Sequence, residues 1–293
     1  MRRRLAVGLT FALILAGSAV SDPANARWLG SFAWMPDAIW AGGFSGIELS
    51  PDGSAMTVIT DRAGMVTARI ERTGDRITAI RQVRHVHLRS AAGSPLSGRL
   101  VDSEGLAVAP DGTLFVSFEG RARIARYDEI GGPAHHLPRP SEFDTLARNG
   151  ALEALAIDAR GRLYTLPERG LDSAGAIPVH RWDGRRWSVP FSLPAQGRFR
   201  PVGADFGPDG RFYLLERSAS PLGFRSRLRR WTLTETAATE ETTLLTTAPG
   251  VHGNLEGVAI WRAADGMLRA TMIADNNFLP VQRSELVEYL IEE

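Results

Sequence analysis

The chain has 293 residues, 44% of them hydrophobic, with a formal charge of +1: enough to bury a large core, and too balanced to point to nucleic acid. Cysteine is absent, which excludes disulfides, thiol catalysis, zinc-thiolate sites and iron-sulfur ligation. Lysine is absent too, all 34 basic residues being arginine, so Schiff-base chemistry and lysine-dependent phosphate loops are excluded.

Arg2, Arg3 and Arg4 precede an apolar run from Leu5 to Leu15 and a small-residue end, Ala24-Asn25-Ala26, which reads as a secretory signal over residues 1–26. The run is shorter than the roughly 20 residues that span a bilayer, so a retained anchor is the alternative. The signal carries three Arg and one Asp, leaving −1 on the mature chain, residues 27–293. A periplasmic or secreted monomer is expected, without membrane insertion after signal removal and with the export route open.

An apolar strand, Trp28 to Met35, comes next. A motif then recurs five times: an apolar strand, a turn ending in Gly, a second apolar strand, and an acid. Gly46–Gly53 leads to Asp61, Gly105–Gly112 to Glu119, Glu153–Gly161 to Glu168, Gly203–Gly210 to Glu216, and Glu256–Gly266 to Asp275. Gly between two apolar runs is a hairpin signal, because the turn needs φ > 0. The turn glycines are 49 to 59 residues apart, which leaves room for two more strands per unit, such as Val66–Ile70 and Ile77–Ile80. Four strands per unit predict an all-β fold, a single β-propeller with five blades, six being the alternative. The fifth unit ends after a third strand, Leu286–Ile291, so the Trp28–Met35 strand is expected to complete it and close the ring.

Residues that begin strand one and end strand two meet at the end opposite the turn. The strand-one positions carry Ser45, Glu104, Glu153, Val202 and Glu256, with Asp102, Asn149 and Asn254 just upstream. Glu104 faces Glu119, and Glu153 faces Glu168, so like charges crowd together. Glu104, Glu153, Glu256, Asn254 and Asp102 are therefore candidate ligands for Ca²⁺, which takes oxygen donors; backbone-bonded carboxylates are the alternative. Asp61-Arg62, Glu168-Arg169 and Glu216-Arg217 repeat an acid-arginine pair. Arg62, Arg169 and Arg217 are candidates to hold a substrate anion, or else close salt bridges between blades. Glu119, Glu168 and His252 are the candidate acid-base groups. Ser45 lacks the strand-turn-helix setting of a nucleophile, and His85 with His87 lies on an outer strand.

The segments Gly42–Gly46, Asp102–Gly105, Asn149–Ala154 and Asn254–Gly257 resemble the phytase-like family, also described as esterase-like activity of phytase. The resemblance covers most of the mature chain and implies an exported bacterial propeller that cleaves an ester or phosphoester. Propeller phytases hold Ca²⁺ at the channel mouth, which the resemblance transfers to Glu104, Glu153 and Glu256. Pro36-Asp37 departs from the acidic segment of those enzymes. The expected function is Ca²⁺-assisted hydrolysis of a small anionic ester or phosphoester. A lactonase-type hydrolase and a non-catalytic ligand- or protein-binding propeller are the alternatives, so whether the chain is an enzyme stays open.

Overall fold

Five Gly-closed hairpins organise the chain. Gly53, Gly112, Gly161, Gly210 and Gly266 have φ between 70° and 88°, and each N–H donates to the carbonyl three residues earlier at 2.8–2.9 Å. A side chain at these left-handed positions costs free energy that glycine avoids. The computed structural model describes residues 25–38, 40–279 and 282–292. The expected signal lies outside these apart from its last two residues, Asn25 and Ala26.

The N-terminal strand β1 spans Ala26–Ala33. Blade one is β2 (Phe44–Leu49), β3 (Ala55–Thr60), β4 (Gly64–Thr73) and β5 (Arg76–His87). Blade two is β6 (Ser103–Val108), β7 (Leu114–Phe118), β8 (Arg123–Tyr127) and the short β9 (His135–His136). Blade three is β10 (Ala154–Ile157), β11 (Leu163–Leu166), β12 (Ile177–Trp182) and β13 (Trp187–Leu193). Blade four is β14 (Arg200–Phe206), β15 (Phe212–Ser220), β16 (Gly223–Leu233) and β17 (Ala238–Thr246). Blade five contributes β18 (Asn254–Arg262), β19 (Leu268–Asp275) and β20 (Glu285–Ile291). Its fourth strand is β1, antiparallel to β20 with Ala26 opposite Ile291. The protein is thus an all-β, five-bladed propeller closed by its N-terminal strand, as expected.

Apolar side chains alternate along the strands and fill the spaces between blades. Five buried clusters each bridge two neighbouring blades: Phe44, Val58 and Ile273 join blades one and five, and Leu106, Met65 and Tyr127 join one and two. Polar bonds add to this closure. Ser45 Oγ donates to Ser103 O at 2.7 Å, which commits that buried hydroxyl to a neighbouring strand.

The inner strands β2, β6, β10, β14 and β18 approach so closely that small residues are required. A Cβ on Gly105 would lie 2.7 Å from Glu153 O and from Leu155 Cβ. Gly46, Gly203 and Gly257 face the next inner strand at 2.9–3.0 Å in the same way. Gly105→Ala is expected to destabilise the fold by about 1–3 kcal/mol, measured by urea unfolding. An unchanged midpoint would show that the ring yields without cost.

Candidate metal centre at the channel mouth

Register shifts mark the start of four inner strands, between Phe44/Gly46, Ser103/Leu106, Pro201/Gly203 and Leu255/Gly257. Such bulges insert one residue and re-aim its side chain. The inserted positions are Ser45, Glu104, Val202 and Glu256, while Glu153 stands just before β10, its N–H donating to Leu166 O at 3.2 Å. Glu104, Glu153 and Glu256, from three blades, repel one another electrostatically, so they converge.

Asp102 and Glu119 join blade two's glutamate. Asp102 O accepts Glu119 N–H at 2.8 Å and ties the two strand ends together. One carboxylate oxygen from each of Asp102, Glu104 and Glu119 lies within 4.8 Å of the others. None of the three has an ion pair among the described residues. Burial, then Glu153, Glu119, Asp102 and Glu256, hold the Glu104 carboxyl well above its ordinary range. Burial and Asp102 push Glu119 up to about 7, although it accepts Ala151 N–H at 3.3 Å and a hydrogen bond from Glu153. Glu153 is raised by burial, then by Glu119 and Glu256.

Arg217 occupies the opposite side of the mouth. Its Nη1 donates to Glu256 and to Asn254 Oδ1, and its Nη2 lies 3.3 Å from Glu168 Oε1. Asn254 Nδ2 donates to Glu256 as well, so both ends of that amide are engaged. Burial pushes Glu256 up to about 7 against the pull of Arg217. Arg169 lies 3.3 Å from Glu168 and is largely exposed. Arg62 is 4.0 Å from Asp61 and stacks 3.6 Å over Phe278.

Glu216, read from sequence as blade four's mouth acid, is turned inward instead. It is fully buried and bound by Arg227 and Arg229 at 2.6–2.7 Å. The bulge at Val202 sets Pro201 opposite Glu216, and Arg217 follows at the mouth. His252 Nε2 bonds Tyr289 Oη at 2.6 Å, which engages the ring with β20. Asn149 is exposed in the loop before β10.

Two acids were absent from the expected ligand set. Asp275 accepts Gly43 N–H at 2.6 Å, and burial followed by Asp275 pushes Asp61 up to about 6. Both end a second strand, so their place in the repeat was the available signal.

A family model described as phytase-like, esterase-like activity of phytase, matches residues 39–278. The chain belongs to this phytase-like family. No curated protein matches it by sequence. The α-L-arabinofuranosidase of Podospora anserina superposes with a TM-score of 0.55 at 10% identity, over 91% of this chain and 98% of that one. A GH62 arabinofuranosidase of Coprinopsis cinerea gives 0.54 at 13%, again over 91% and 98%. Regucalcin of Agrobacterium tumefaciens, a calcium-binding protein, gives 0.49 at 10%, over 85% and 91%. These likenesses concern the fold alone.

The mouth of this phytase-like propeller ties stability to pH. Glu119 and Glu256 rise from an ordinary 4.5 to about 7. Between those values the unfolded chain releases protons that the folded chain keeps, so the stability these two groups contribute is full below about 4.5 and is lost by about 7. In EDTA, the thermal midpoint is expected to drop by about 5 °C from pH 5 to pH 8. Glu119→Gln with Glu256→Gln should flatten that slope, and an equal slope in the variant would assign it to other groups.

Proposed function

We propose that this protein is an exported hydrolase of esters or phosphoesters, assisted by Ca²⁺ at Asp102, Glu104 and Glu119. The observation that carries the reading is the convergence of three carboxylates without an ion-paired arginine. The donor set is all oxygen, as a hard cation requires, and a bound cation would offset the repulsion that raises Glu104 and Glu153. The N-terminal Arg2–Leu15 pattern supports export, and the family match supports hydrolysis.

When bound, the cation supplies a Lewis acid for the ester oxygen and acidifies water. Asp102, Glu104 and Glu119 would hold it. Arg217 keeps Glu256 and Glu168 in place across the mouth. Arg169 and Arg62 have exposed guanidinium groups that would steady a substrate anion at the rim.

The test is hydrolysis of a phosphomonoester panel beside carboxylic ester and lactone panels, with Ca²⁺ or EDTA. Turnover is expected to fall at least about 100-fold in EDTA and in Glu104→Gln. Undiminished turnover in both would overturn the metal mechanism, and the panel that responds assigns the bond cleaved.

A further inference from the structure

The two ends of the propeller differ in what they expose. Ten large apolar side chains are exposed among the described residues, and seven stand in loops at the carboxylate end: Met35, Leu100, Leu171, Leu222, Val251 and the Phe278–Leu279 pair. The other three are on outer strands or in a Gly-end turn. Scattered exposed apolar residues are ordinary, but concentration on one face marks an interaction surface.

Leu100 lines a cavity with Phe143 and Leu146, while the most exposed of the seven stands at a hairpin tip. Leu222, 78% exposed, tips the β15–β16 hairpin, whose strands have nine and eleven residues against five and five for β7 and β8. Gly250 N–H donates to Phe224 O at 2.9 Å, bracing that hairpin beside Val251. Phe278 projects from the β19–β20 loop with Arg62 stacked on it.

Charge on the same loops says what would cover them. Eight arginines are exposed there, among them Arg89, Arg99, Arg121, Arg148, Arg198 and Arg283, against three exposed acids, Asp37, Glu142 and Asp144. Asp144 is already bound by Arg139. Apolar tips interleaved with arginines around a rim suit a planar, negatively charged surface that all loops touch at once.

We propose that the carboxylate end of the propeller docks on an anionic lipid surface, its rim arginines meeting headgroup phosphates while Leu222, Val251, Phe278 and Leu279 enter the headgroup layer. Docking of this kind does not depend on hydrolysis.

Co-flotation with vesicles of phosphatidylcholine containing about 30% phosphatidylglycerol, against phosphatidylcholine alone, tests it. Binding is expected to be more than about 25-fold stronger to the anionic vesicles. Leu222→Ser with Leu279→Ser should weaken it about tenfold. Arg148→Gln with Arg198→Gln should weaken it about 25-fold, at about fivefold per arginine. Where either pair lowers the thermal midpoint, Leu171→Ser with Arg283→Gln takes its place. Wild-type protein floating with neither vesicle, or both double variants floating like wild type, would overturn the proposal. Displacement from vesicles by polyglutamate, with the leucine variant still bound, would overturn it in favour of an acidic protein partner.

Discussion

Calcium at about a hundred times its dissociation constant is expected to raise the thermal midpoint by about 5–10 °C, and by less than about 2 °C in Glu104→Gln with Glu119→Gln. A ligand at that excess, bound only by the folded state, contributes about 2.7 kcal/mol, and each kcal/mol moves the midpoint of a chain this size by about 2–4 °C. The variant also separates metal binding from general damage. Glu104 is raised by burial and by four neighbouring carboxylates, so neutral amides relieve repulsion. Without calcium the variant should therefore melt at or above the wild-type midpoint. Equal calcium shifts in both proteins would remove Asp102, Glu104 and Glu119 from the metal reading.

Arg229→Met is expected to cost about 3–5 kcal/mol, the largest single-site loss among the charged residues. Glu216 and Arg229 are both fully buried, with Nη2 to Oε1 at 2.6 Å and Nε to Oε2 at 2.7 Å. Removing the guanidinium leaves Glu216 to Arg227 alone and strips Glu241 of its 2.9 Å partner. The thermal midpoint should fall by about 10 °C. Adding Glu216→Leu and Arg227→Met should recover much of the loss, because the whole desolvated triad is replaceable by apolar packing while a lone buried charge is not. A loss under about 1 kcal/mol in urea unfolding would show that water reaches Glu216.

Much of this could be read along the chain because hairpin chemistry is local. A Gly-closed turn needs only its own residues, and five of them at blade spacing, with a spare strand at the start, define a closed ring. The converging glutamates were legible for the same reason, since Glu104, Glu153 and Glu256 share one place in the repeat. The partners of those groups were not. In blade four, alternation assigns Glu216 to the mouth, but the Val202 bulge shifts the register there, and with it the choice between Glu216 and Arg217. His252 precedes Asn254 by two residues, yet its ring bonds Tyr289, 37 residues away in sequence.

The sequence by itself determined a propeller of five or six blades, the strand that closes it and the end at which carboxylates gather, because these follow from turn chemistry and repeat position. Only the tertiary structure decided which carboxylates act together. It separated Asp102, Glu104 and Glu119, without an ion pair, from Glu168 and Glu256, which Arg217 holds. The physical reason is that a carboxylate's charge state depends on burial and on neighbours from other blades, and neither lies along the chain.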